Sequence, residues 1–144
     1  MNLQENIQRI QEVMGVNPSP FDGIDKKLVD IFNKIQNDYG KPLKIESKKR
    51  DKKTNDAKGG AKNSAHLRGK AIDIKFDYPD REGIKKLITL ATKHGILGIG
   101  VYRDAQDLHL DIDETLGKRA WGPNYSFNSI PSWAKKEILQ HIKS

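Results

Sequence analysis

The 144-residue chain contains no cysteine. This absence excludes disulfide frameworks, thiol nucleophiles, iron–sulfur clusters and cysteine-based zinc fingers. Any bound metal must therefore be held by histidine, aspartate or glutamate side chains.

Long apolar runs are also absent. No stretch reaches the roughly 18–20 apolar residues that a transmembrane helix requires, so no membrane span is expected. Residues 1–15 are polar and contain Glu5 and Glu12, which does not resemble a signal peptide. We therefore expect synthesis in the cytoplasm without a signal peptide.

Hydrophobic residues make up 35% of the chain and charged residues 31%. This composition predicts one domain with a modest core. We expect an N-terminal helix and connector over residues 1–20, followed by a single domain over residues 21–144. The 26 Lys and Arg residues outnumber the 19 Asp and Glu residues, giving a net charge of +7, so an anionic partner is expected: nucleic acid, an acidic glycopolymer or a bacterial envelope.

Helical periodicity recurs in four segments. The apolar stripe from Leu3 to Met14 predicts a short amphipathic helix. A second helix is predicted over residues 24–39, with Asp22 or Asp25 as its cap, and a third runs from Asp80 to Gly95. A fourth helix is predicted to begin at Pro131. His94 and His141 fall near helix ends and are expected to be structural surface residues.

Alternating apolar and polar residues predict strands over residues 43–47, 71–76, 98–102 and 107–113. A long polar loop, residues 48–65, separates the first two strands, and loops of this length are often functional. We therefore predict an α+β fold, a small antiparallel sheet with flanking helices.

Metal-ligand side chains occur on two of these segments. His66 and Asp73 lie around the start of the second strand, and His109 lies in the fourth, with Asp107 and Asp111 on the same strand face. Two imidazoles and one carboxylate form a ligand set used at catalytic zinc sites, where water takes the fourth position. The sequence thus predicts a Zn²⁺ site.

These residues resemble a known family, the zinc D-Ala-D-Ala carboxypeptidases and L-alanyl-D-glutamate endopeptidases. Its relatives are the VanX dipeptidases and, distantly, the Hedgehog signalling domain. The family pattern Ser-x-His-x-x-Gly-x-Ala-x-Asp begins at Ser64 and ends at Asp73. Further matches are Ser47, Arg50, Asn55, Gly59–Gly60, Gly98, Gly100, Tyr102, His109, Asp111, Arg119 and Trp121.

The resemblance implies a Hedgehog-like, D-Ala-D-Ala-peptidase-like fold. It also implies that His66, Asp73 and His109 bind one Zn²⁺, which polarises the scissile carbonyl and activates a water molecule. Arg50 would pair with a substrate carboxylate and Ser64 would hydrogen-bond the peptide. The implied activity is hydrolysis of a peptide bond in the peptidoglycan stem peptide or cross-link, by an endolysin-like endopeptidase or a D-Ala-D-Ala carboxypeptidase. Such an enzyme would reach the wall through a phage holin or be carried in a virion.

The sequence departs from the family at the general base. The best-studied members carry an acid three residues before the second histidine, where this chain has Gln106. Asp107 and Asp111 are the candidate substitutes, with Asp107 favoured.

The missing acid supports an alternative function, a non-catalytic zinc-binding module of the same fold. Nucleic-acid binding is not expected, because the basic residues cluster in residues 48–62 without a nucleic-acid motif. That basic segment is either a solvated loop or a cationic lip that attracts an anionic wall. The oligomeric state is open.

Overall fold

The computed structural model describes residues 21, 23–46 and 69–144. The predicted N-terminal helix, the long polar loop and His66 lie outside the described residues. The described residues form three α-helices: α1 (Lys26–Tyr39), α2 (Arg81–Lys93) and α3 (Lys135–Lys143). Two short 3₁₀ turns, Phe127–Ser129 and Ser132–Ala134, precede α3. None of the described helices is long and apolar enough to cross a membrane.

Capping residues fix the ends of the first two helices. The Asp25 carboxylate accepts a hydrogen bond from the Lys27 amide at 2.8 Å, so Asp25 caps α1. Gly40 ends that helix with a left-handed φ of 81°, a conformation that glycine adopts without steric cost. Asp80 caps α2 by accepting from the Gly83 amide at 2.8 Å. Both helices lie where the sequence predicts them.

In the described part of the chain, the sheet has five strands in the order β1-β2-β4-β3-β5. Their bounds are β1 Lys44–Ile45, β2 Ala71–Lys75, β3 Gly98–Tyr102, β4 Asp107–Asp111 and β5 Arg119–Trp121. The first four pair antiparallel, whereas β5 runs parallel to β3. The α+β fold is confirmed. Strand β5 joins the predicted antiparallel sheet in a parallel pairing. The sequence analysis does not include it, because three residues are too few for an alternation pattern to show.

One face of the sheet is apolar and the other is polar. Six apolar strand residues are fully buried and share one core with the buried faces of the three helices: Ile72, Ile74, Ile99, Val101, Leu108 and Leu110. His141 of α3 is also fully buried, so the expectation that it lies on the helix surface is wrong. The Asp and His residues of β2 and β4 occupy the opposite face of the sheet, because side chains alternate along a strand.

Candidate metal site

The polar face of the sheet consists of three cross-strand rows, each set by the strand register. The middle row contains the predicted metal ligands Asp73 and His109, and the two flanking rows contain Asp111 and Asp107. The upper row is Ala71, Asp111, Gly98 and Arg119; the middle row is Asp73, His109, Gly100 and Trp121; the lower row is Lys75, Asp107 and Tyr102.

Asp73 and His109 are direct partners across β2 and β4. Asp73 Oδ1 lies 3.3 Å from His109 Nδ1, and the two side chains are 15% and 11% exposed. Two ligand atoms, each about 2.0–2.1 Å from a tetrahedral zinc, are themselves separated by about 3.3 Å. The pair therefore fits two adjacent corners of a zinc site without rearrangement.

The other nitrogen of His109 faces Asp111. His109 Nε2 lies 2.7 Å from Asp111 Oδ2, and the same oxygen accepts from Arg119 at 2.7 Å. The Asp113 amide donates to Asp111 Oδ1 at 3.1 Å. The Asp111 side chain is 1% exposed. A carboxylate that holds the second nitrogen of a histidine is the usual outer partner of a metal-binding imidazole.

These contacts change the protonation of both groups. Burial lowers the pKa of His109, but hydrogen bonds to Asp111 and Asp73 and their negative charges raise it to about 9. Burial raises the pKa of Asp111, but His109 and Arg119 outweigh that effect and hold it below its usual value. In the metal-free protein at neutral pH, His109 is therefore an imidazolium cation that faces the carboxylates of Asp73 and Asp111.

Asp107 has different partners. Arg103 donates to both of its oxygens, the Nη2 atom lying 2.8 Å from Oδ1, and Lys75 Nζ lies 2.8 Å from Oδ1. Burial raises the pKa of Asp107, but the hydrogen bonds from Arg103 and Lys75 outweigh burial and keep that pKa low. Asp107 is thus an ionised carboxylate held between two cations.

Two glycines of β3 leave room for the site. A Cβ atom on Gly98 would lie 2.3 Å from Asp111 Oδ2, and one on Gly100 would lie 2.7 Å from Trp121 Nε1. Because glycine has no Cβ, the carboxylate and the indole can lie directly on the strand. The Trp121 ring is tilted against His109, with centroids 5.0 Å apart. One wall of the site is therefore aromatic.

The structure brings together only part of the predicted site. Among the described residues, no group of three His, Cys, Asp or Glu side chains is arranged to hold a metal ion. The third predicted ligand, His66, and the predicted substrate contacts Arg50 and Ser64 lie outside those residues. Their roles, and that of Asp107 as base, stay predictions.

Strand β5 supplies two side chains beside Asp111 and His109 whose contacts the sequence analysis did not predict. Arg119 binds Asp111 and also donates to Gly117 O at 2.8 Å. Trp121, two residues later, lies on the same sheet face and contacts His109. No alternation signal could have identified this strand, because it is only three residues long.

Comparison with known proteins gives one family. The model of the family described as Peptidase M15 matches residues 3–111, a segment that includes Asp73, His109 and the predicted ligand His66. A search of curated proteins returned no significant match. With well over half of its length matched, the chain belongs to the Peptidase M15 family and is a metallopeptidase by membership.

Proposed function

We propose that this protein is a zinc-dependent peptidoglycan peptidase that hydrolyses a peptide bond of the stem peptide or cross-link. The observation that carries the proposal is the 3.3 Å pairing of Asp73 with His109 in the middle row of the sheet, within a Peptidase M15 chain. The net charge of +7 suits an anionic wall polymer. We propose that the enzyme acts at the cell wall, after release through a holin or from a virion.

In this proposal His66, Asp73 and His109 hold one Zn²⁺. When bound, the ion would supply a Lewis acid for the scissile carbonyl and lower the pKa of a water molecule. Asp111 keeps the His109 ring in position through Nε2, and Arg119 keeps Asp111 in position in turn. Arg50 would pair with a substrate carboxylate and Ser64 would hydrogen-bond the peptide.

The general base is the open part of the mechanism. Asp111 has hydrogen-bond partners on both oxygens, which suits a positioning role for His109 better than proton transfer. Asp107 is bound by Lys75 and Arg103, but the Arg103 side chain is 61% exposed, so water competes for its guanidinium group. We therefore keep Asp107 as the proposed base.

The Asp107→Asn variant tests this assignment. We expect it to bind zinc as the parent does but to lose most hydrolysis, since an amide cannot accept the proton. Asp104→Asn is the control. Asp104 is an exposed residue of the turn before β4, and it forms an ion pair with Arg81 of α2 at 3.0 Å, away from Asp107. Full activity in Asp107→Asn would remove Asp107 from the mechanism.

The function itself is tested by mass spectrometry of purified peptidoglycan, incubated with the zinc-loaded protein or with its His66→Ala variant. We expect new muropeptide fragments with the parent protein alone, and their masses will identify the bond that is cut. If several wall types yield no fragments although zinc is bound, the second candidate holds. That candidate is a non-catalytic zinc-binding module, and the amide Gln106 at the usual position of the acid favours it.

A further inference from the structure

The hydroxyl group of Tyr102 lies beside the predicted metal ligands. Tyr102 follows Gly100 by two residues on β3, so both face the polar side of the sheet, and Gly100 is the register partner of His109. The negative charges of Asp73 and Asp111 both act on the Tyr102 hydroxyl. Tyr102 is thus a neighbour of the middle row, although it is not a metal-ligand residue type.

Trp121 holds the Tyr102 hydroxyl in one orientation. The indole Nε1 donates a hydrogen bond to Tyr102 Oη. That indole lies on Gly100, where a Cβ would be 2.7 Å from Nε1. Trp121 is itself placed by its contact with His109 and by the Arg119 guanidinium, 5.5 Å from its ring. The hydroxyl oxygen is therefore fixed relative to His109.

Within the described residues, no acceptor takes the hydroxyl proton of Tyr102. In the described part of the chain, the bond from Trp121 is the one hydrogen bond of Tyr102 Oη, and it uses the oxygen as acceptor. Burial raises the pKa of Tyr102 to about 12, so the phenol keeps its proton at neutral pH. A neutral, oriented O–H donor beside a hydrolytic site can stabilise negative charge as it develops.

We propose that Tyr102 is a catalytic residue whose hydroxyl donates a hydrogen bond to the scissile carbonyl oxygen of the peptide substrate. The proton stays on Tyr102 throughout, because the phenol stabilises the developing oxyanion and does not protonate it. The proposal rests on the proposed peptidase function.

The Tyr102→Phe variant removes the donor and keeps the ring. We expect kcat to fall about 100-fold while KM changes less than about threefold, as for loss of one oxyanion donor. The affinity of the variant for a phosphonate analogue of the scissile peptide, measured by calorimetry, should fall by a factor similar to the fall in kcat. Its zinc affinity and melting temperature should match those of the parent. Tyr125→Phe is the matched control, since this neighbouring tyrosine, whose ring centroid is 6.0 Å away, is 75% exposed. We expect it to retain parent activity.

A Tyr102→Phe enzyme with kcat within about twofold of the parent overturns the proposal and leaves the peptidase function standing. Loss of zinc or of folding in Tyr102→Phe also overturns it, because the hydroxyl would then support the structure of the site and not the substrate. A parent protein that neither cleaves peptidoglycan nor binds the phosphonate overturns both the proposed function and the role of Tyr102.

Discussion

Asp107 and Asp111 flank the same histidine on the same strand face, yet their surroundings give them different chemistry. Asp111 contacts His109 and Arg119, whereas Asp107 contacts Lys75 and Arg103. The two-residue period of a strand predicts that both carboxylates share the face of His109. It does not predict which cation reaches each of them, because those cations come from other strands and from the turn.

We predict that the Asp111→Asn substitution weakens zinc binding about 10- to 100-fold, the usual cost of losing the outer partner of a metal-binding histidine. The zinc dissociation constant is measured by competition with a chromophoric chelator. Asp104→Asn, an exposed aspartate on the turn before β4, serves as control and should bind zinc like the parent. An unchanged dissociation constant in Asp111→Asn would show that Asp111 does not position His109.

At the scale of elements, α3 is anchored by a buried histidine. His141 Nε2 donates to Leu97 O at 2.9 Å, and its Nδ1 lies 2.9 Å from the Thr92 hydroxyl of α2. Burial lowers the pKa of His141, and the positive charge of Lys118 lowers it further. The apolar spacing of α3 predicts the helix. It does not predict that His141 is buried, because the residues that cover His141 belong to α2 and to the segment before β3.

We predict that metal-free protein loses stability as the pH falls from about 6.5 to 5. The unfolded state binds a proton at His141 near its ordinary pKa of 6.5, whereas the folded state resists protonation, so lower pH favours unfolding. The pKa of His109 is raised in the folded state, so its contribution to the free energy of unfolding is already present below pH 6.5. That contribution therefore does not cause the predicted loss of stability between pH 6.5 and 5. Thermal melting in EDTA measures the slope.

The His141→Gln variant tests this assignment, because glutamine can still donate to Leu97 O but does not titrate. Its melting temperature should vary less between pH 6.5 and 5 than that of the parent. Equal pH slopes for parent and variant would show that another group causes the pH dependence.

For the molecule as a whole, the sequence predicts the α+β fold, the three described helices and four of the five strands. It does not predict β5, because Arg119–Trp121 is short and its pairing with β3 is non-local. The middle row of the site is predictable, since Asp73 and His109 each lie on a strand with clear alternation. The Trp121 contact with His109 and the Tyr102 hydrogen bond depend on β5, and therefore appear only in the folded sheet.

The central claim is that the paired Asp73 and His109 hold a metal ion. Zinc content after dialysis against limiting Zn²⁺, measured by plasma mass spectrometry, tests it most directly. We predict about one zinc per chain in the parent and in the control Asp104→Ala. Asp73→Ala and His109→Ala should each retain less than about one tenth of that, because a site with three protein ligands loses most of its zinc affinity when one ligand is removed. Parent-level zinc in folded Asp73→Ala and His109→Ala would contradict the account.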